Sequence, residues 1–291
     1  MSFSHHLIGI LSHSLDLLPL TLKWKFSSLF PSRIRDSIIR HGSSRSIKWV
    51  TPTCSFKMHV SPGDDFFGMY VRRTLESWES DALNYWYRHS RDTETVVDVG
   101  SYVGAYSLIA ASGTGASRVL AFEPNVEGYT ATTKNARKNR LDSKISVFPI
   151  ALGKENAIVP LIAPKGRHFS SSAMLSPAST EIKQGWEVVK LVSCKPLDHI
   201  LEFPDIESIV LIKIDTEGSE IDVLLGASNI LRLHHPRLIV ECLVRDAYQE
   251  IQGYLDNFGY KLGIALDGCH FDCLTCDENS CEYKARNFAF D

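Results

Sequence analysis

The sequence predicts an α/β fold, a mostly parallel sheet with helices on both faces. Two observations carry that prediction. Between residues 95 and 258, short β-rich apolar runs alternate with helix-patterned segments, the rhythm of parallel strands joined by crossover helices. The first two of those runs each end in an acid, Asp98 and Glu123, beside a glycine or proline where a helix begins. The 291 residues are 44% apolar and 22% charged, a globular balance in a chain long enough to bury a core without disulfide support.

Leu7, Leu11, Leu15, Leu18 and Leu22 recur at three- and four-residue spacing, which is one helix face. Trp24, Phe26, Leu29 and Phe30 follow, mixed with Lys23 and Lys25. Such a face suits packing on a domain, or peripheral membrane contact through residues 7–30. His13, Asp16 and Pro19 break the run, so it predicts no membrane span, and it has no flanks of a secretory signal. A second short helix opens at Pro31–Ser32 and ends near Gly42. Residues 42–65 read as irregular or extended, and Leu75–Tyr87 as a helix.

Strand patterns then fall at Thr95–Val99, Arg118–Phe122 and Ile145–Ile150. The first is followed by a helix to about Ala111 and the second by a helix over Val126–Asn139. Ile209–Ile214 is a fourth strand, before a helix from Ser219 to Leu231. Arg237–Val244 is a fifth, before a helix over Ala247–Phe258. Residues 151–208 are too long for a simple crossover. Strand patterns at Ala157–Ile162 and Val188–Ser193 surround the serine run Ser170–Ser172. This predicts a β-rich insertion over the C-terminal edge of the sheet, where open α/β sheets bind ligands.

The net charge of −3 carries no nucleic-acid signature, but it is unevenly spread. Residues 1–60 hold eight basic against two acidic side chains, which leaves the remaining 231 residues nine negative. The first 64 residues therefore read as a basic, amphipathic extension and 65–291 as the catalytic domain. Seven cysteines are present, an odd number, and with no secretory signal evident a cytoplasmic, reducing compartment is the expectation. Cys269, Cys273, Cys276 and Cys281 are spaced C-x3-C-x2-C-x4-C. Their short spacing leaves three readings open: a structural metal, redox chemistry, or free thiols in a surface hairpin.

The chemistry concentrates in two segments. In Asp98-Val-Gly-Ser-Tyr-Val-Gly104, Gly100 and Gly104 let the backbone turn tightly beside a ligand. The carboxylate of Asp98 suits a cationic ligand better than a phosphate, and G-x-G-x-x-G is absent. S-adenosylmethionine, with its ammonium and sulfonium, fits this loop better than NAD. Ser101 and Tyr102 lie on the loop. Glu123, followed by Pro124 and Asn125, stands where an acid accepts hydrogen bonds from ribose hydroxyls. Ala151, past the third strand, is placed to flank an adenine ring. The second segment, Ile212-Lys-Ile-Asp-Thr-Glu-Gly-Ser-Glu220, sets three acids at the end of strand four, beside that loop. Acids there can take a proton, bind a cation or hold a hydroxyl, while Glu220 reads mainly as a helix cap.

With Leu197-Asp198 and Val223-Leu-Leu-Gly-Ala227, these segments resemble the FkbM family of S-adenosylmethionine-dependent methyltransferases over about residues 65–290. Ser101-Tyr102 departs from the family's usual Ala-Asn. The resemblance implies a Rossmann-like class I methyltransferase fold, with a seven-stranded sheet whose last strand is antiparallel. Its sixth and seventh strands would fall at Tyr260–Ala265 and Asn287–Phe290. It further implies methyl transfer to a hydroxyl of a small-molecule or glycan acceptor. Asp215 is then the first candidate for the base and Glu217 the second, with Lys213 pairing with or polarising them. Asp215, Glu217 and Glu241 are hard oxygen ligands, though the sequence does not require a metal. An NAD-dependent oxidoreductase and a non-catalytic cofactor-binding module are the alternatives on the same sheet.

Overall fold

The computed structural model describes residues 44–291 except 52–53, 63, 73–74, 76–77, 92–93, 113–114, 177–181, 201–208, 262 and 267–285. The leucine-striped segment, the helix after Pro31 and the four clustered cysteines lie outside the described residues. No helix among the described residues is long and apolar enough to cross a membrane.

A hairpin comes first: β1 (Arg45–Val50) pairs antiparallel with β2 (Ser55–Val60). Alternation builds it. Ile47 and Trp49 on one strand and Phe56, Met58 and Val60 on the other are buried, while the residues between them face outward. The extended reading of 42–65 was correct, but the pairing was not foreseen. The edge of β2 is closed by α4 (Val126–Lys138), where Asn135 Oδ1 accepts from His59 N at 2.7 Å. Asn139, just past that helix, accepts from Lys57 N and donates to Lys57 O. This hairpin lies before residue 64, yet its apolar face belongs to the same core as the central strands.

Helices α1 (Asp65–Arg72) and α2 (Ser80–His89) follow, the second several residues later than the sequence suggests. The large sheet then alternates strand and helix. It comprises β3 (Thr95–Val99), β4 (Arg118–Phe122), β5 (Ile145–Phe148), β10 (Ile209–Ile214), β11 (Arg237–Cys242), β12 (Ile264–Ala265) and β13 (Arg286–Phe290). Their order across the sheet is β12-β13-β11-β10-β3-β4-β5. The sheet is mixed: β3, β4, β5, β10 and β11 are parallel, and β13 runs antiparallel to both its neighbours.

Strand alternation divides the core in two. Val96, Val119, Ala121, Leu211 and Ile239 pack on one face with α2, α3 (Ala105–Ala111) and the hairpin. Val97, Val99, Leu120, Ile212, Ile214, Leu238 and Val240 pack on the other face. There they meet α6 (Glu220–Leu225), α7 (Ser228–His234) and α8 (Arg245–Leu255). The single helix expected over Ser219–Leu231 is thus two helices. A Cβ on Gly226 would stand 2.1 Å from Gly153 O, and Asp198 caps the second helix through Asn229 N and Ile230 N.

The insertion forms its own four-stranded sheet, in the order β6-β9-β7-β8. Its strands are β6 (Ala151–Leu152), β7 (Ala157–Pro164), β8 (Met174–Leu175) and β9 (Trp186–Lys195), and α5 (Leu197–Ile200) leads out of it. Leu161, Ala173 and Leu175 close one wall of a cleft at the C-terminal ends of the central strands.

Candidate active site

Alternation also places the charged residues. Lys213 and Asp98 are register partners on adjacent parallel strands, on the face otherwise occupied by Leu211, Val96 and Ile239. Both are buried. Lys213 Nζ lies 2.9 Å from Asp215 Oδ2 and 4.0 Å from Asp98 Oδ1, donates to Gly100 O at 3.3 Å, and stands over the Tyr106 ring. Its carboxylate neighbours outweigh burial and hold its ammonium above the ordinary lysine range. Burial pushes the Asp98 carboxyl up, against Lys213 and the 2.5 Å hydrogen bond from Ser107 Oγ.

This corrects the expectation for Asp98. The side chain does not line the cleft; it stands behind the glycine loop and meets Lys213. It acts one layer back, holding the lysine that in turn holds Asp215 and the Gly100 carbonyl. Gly100 is required there. Its φ is +76°, and a Cβ would fall 1.8 Å from the Asp215 carbonyl oxygen, so the loops after β3 and β10 touch backbone to backbone. Asp215 N also donates to Val99 O at 3.1 Å.

Glu123 sits at the end of β4, with Oε2 accepting from Tyr102 N at 2.7 Å and Oε1 from Asn125 N at 2.8 Å. Burial pushes its carboxyl up to about 7 despite these two donors. Each oxygen accepts one of these bonds and keeps capacity for a further donor. Tyr102, at φ +50°, gives its Oη to Asp65 N as an acceptor and packs its ring on Phe169 of the insertion. Ser101 is buried, and its Oγ has no hydrogen-bond partner. Gly100, Ser101, Tyr102, Glu123, Pro124 and Ala151 line the cleft together with Lys213, Asp215 and Glu217. Gly104 and Asn125 do not. Gly104 opens α3 against Thr132. Asn125 caps α4 through Glu127 N and donates to His168 O of the insertion.

The turn after β10 carries Glu217 at φ +59° and Gly218 at φ +110°, which turns the Glu217 side chain toward the cleft. Burial first, then the charges of Asp215 and Glu220, push the Glu217 carboxyl up to about 8. Glu220 Oε1 accepts from Thr216 N, Thr216 Oγ1 and Gly218 N, so it shapes this turn, as its capping role implied. Asp215, Glu217 and Glu241 bring carboxylate oxygens within 4.8 Å of one another.

Two further contributors come from outside the strand ends: Asp65, which sequence reasoning missed, and Glu79, which with Trp78 resembles the family's acidic approach to the first central strand. Asp65, at the start of α1, accepts from Arg167, Ser171 N and Ser171 Oγ and so ties the insertion across the cleft mouth. Glu79, at φ +44°, accepts from Tyr106 Oη at 2.7 Å and lines the cleft. Neither sits at a strand end, the one positional signal that marks ligand residues in such sheets. Among the described residues, six carboxyl side chains and a single lysine line the cleft.

A family profile described as the methyltransferase FkbM domain matches residues 98–262. The chain is 26% identical over 160 residues to a hexuronic acid methyltransferase of Haloferax volcanii, a match covering 53% of this chain and 58% of that protein. It is 27% identical over 147 residues to Methyltransferase 1 of Beauveria bassiana, covering 46% and 59% respectively. The chain thus spans less than two thirds of the length of these relatives. The crystal structure of methyltransferase FkbM from Methylobacillus flagellatus KT is 17% identical, with a TM-score of 0.48, over 77% of this chain and 53% of that one.

Proposed function

The chain belongs to the FkbM methyltransferase family, and from that premise we propose that it is an S-adenosylmethionine-dependent methyltransferase. Its acceptor is a hydroxyl oxygen of a sugar, glycan or natural product, and its large sheet is a Rossmann-like class I sheet. One observation carries the cofactor choice: among the described residues, the cleft at the strand ends is lined by six carboxyl groups and one lysine, which is already paired. A pyrophosphate, itself an acceptor, would meet a lining of acceptors with no unpaired cation among the described residues. A sulfonium and an ammonium meet carboxyl oxygens. The same lining, with the missing G-x-G-x-x-G, weighs against an NAD-dependent oxidoreductase.

The residues fit the cofactor. Gly100 makes a cradle that a Cβ would fill, Ser101 Oγ is buried without a partner, and Glu123 has acceptor lone pairs for ribose hydroxyls. Ala151, with Ile150 and Leu152, gives an apolar flank for the adenine. The bound cofactor supplies an activated methyl group, so the protein's share is placement and proton management. Lys213 fixes Asp215 beside the glycine loop. Asp215 and Glu217 then face the acceptor, where one of them takes the hydroxyl proton as its oxygen attacks. Asp215 is committed to Lys213, which leaves Glu217 the freer acceptor.

The finer acceptor class is supported by the hexuronic acid methyltransferase among the relatives. The test is transfer of labelled methyl from S-adenosylmethionine to a panel of hydroxylated acceptors, hexuronic-acid glycans included. The expected product is an alkali-stable methyl ether. Label found only in alkali-labile ester, or no transfer to any hydroxylated acceptor, would overturn the proposal.

A further inference from the structure

Glu241, at the end of β11, faces the same cleft and has no role in the reading above. It is 7% exposed, and its Oε2 has no hydrogen-bond partner. Beside it on β13 stands Asn287, its register partner across an antiparallel pair, so both side chains leave the same face. Asn287 is 3% exposed, and its Oδ1 also lacks a partner. Two buried, unsatisfied oxygens from different residues are therefore neighbours on this face, and such atoms are rare in native cores. One belongs to a carboxyl whose group clusters with those of Asp215 and Glu217 within 4.8 Å.

Charge leads to the same place. Lys213 is the one cation lining the cleft among the described residues and already serves Asp215 and Asp98. Glu217 and Glu241 have no counter-charge of their own among the described residues. Oxygens that share a hard divalent ion at about 2.0–2.6 Å lie within roughly 5 Å of one another, a limit that the oxygens of this cluster meet at 4.8 Å. The donor set holds oxygen alone, with no histidine or cysteine, which suits Mg2+ or Mn2+ rather than zinc.

We propose that Asp215, Glu217 and Glu241 bind one divalent cation of the Mg2+/Mn2+ class, with Asn287 beside it, at the acceptor end of the cleft. This rests on the reading that a hydroxyl is methylated there. The ion takes the acceptor oxygen as a ligand and makes its O–H more acidic. Each carboxylate gives the ion one oxygen, so the second oxygen of Glu217 receives the proton. The new O–C bond then forms as the methyl group leaves sulfur.

The test is Mn2+ titration of the purified full chain, followed by electron paramagnetic resonance and calorimetry without any acceptor. The wild type should bind one Mn2+ per chain. Glu241→Gln and, as a second and more exposed variant, Glu217→Gln should each weaken that binding at least tenfold. In both variants, affinity for S-adenosylhomocysteine should stay within about threefold, which also shows that they fold. Wild-type protein that binds S-adenosylhomocysteine but no Mn2+ at millimolar concentration overturns the cation site and leaves methyl transfer standing. So do variants that bind Mn2+ as the wild type does. Mn2+ binding that persists without S-adenosylhomocysteine binding would overturn the methyl-transfer reading instead.

Discussion

Glu123 illustrates how much a single side chain bears in this site. It joins the loop after β3 to the start of α4 by accepting from Tyr102 N and Asn125 N, and it does so from a buried position. The cost is a carboxyl pushed from an ordinary 4.5 up to about 7 by desolvation. A raised acid binds its proton more tightly in the folded state, so its contribution to stability is full below about pH 4.5. That contribution declines as pH rises to about 7 and is flat above. Glu123→Gln removes this slope whatever it does to absolute stability. The difference between wild type and variant, measured by urea unfolding in the absence of cofactor, should change by up to about 3 kcal/mol between pH 4.5 and 7. Parallel pH profiles would show that Glu123 is not the strained acid. The strand-end position of Glu123 was legible because a fixed chain location carries that information. The burial of Asp98 behind the loop was not, because the partner that draws it inward, Lys213, lies 115 residues away in sequence.

At the scale of elements, Asp198 explains a motif whose role the sequence left blank. Its carboxylate accepts from Asn229 N, Ile230 N and Ser228 Oγ at the start of α7, and its own N–H donates to Gly226 O. The pairing of Leu197-Asp198 with Gly226-Ala227 is thus a cap and the break it serves, and none of these residues lines the cleft. Asp198→Ala should cost about 1 kcal/mol, as lost caps do. The melting temperature should fall by about 2–4 °C. Asp198→Asn should recover most of that, and cofactor affinity should not move. A loss of cofactor binding with unchanged melting would assign Asp198 to the site instead. The helix break itself was illegible, because apolar periodicity runs through Val223, Leu224 and Leu231 without interruption. The contacts made at the break, Gly153 against Gly226 and Asp198 against Asn229 and Ile230, come from segments distant in sequence. The β1–β2 hairpin was legible in principle, since Ile47, Trp49, Phe56, Met58 and Val60 alternate with polar residues. Each strand alone is too short to distinguish pairing from mere extension.

Over the whole molecule, the alternation of strands and helices was readable because it rests on local periodicity. The character of the cleft was not, because it is a sum over distant segments. Asp65 and Glu79 come from helices before the first central strand, Glu123 from β4, Asp215 and Glu217 from the turn after β10, and Glu241 from β11. The insertion closes over them through Arg167 and Ser171 on Asp65 and through Asn125 on the His168 carbonyl. The result is a carboxyl-rich cleft at the strand ends, and the central claim is that this acceptor-rich lining selects a methyl donor that carries an ammonium and a sulfonium. Calorimetric titration of the purified chain with S-adenosylmethionine, and separately with NAD, tests it most directly. The account predicts one binding site for S-adenosylmethionine and no measurable heat with NAD. Saturable binding of NAD without binding of S-adenosylmethionine would contradict it.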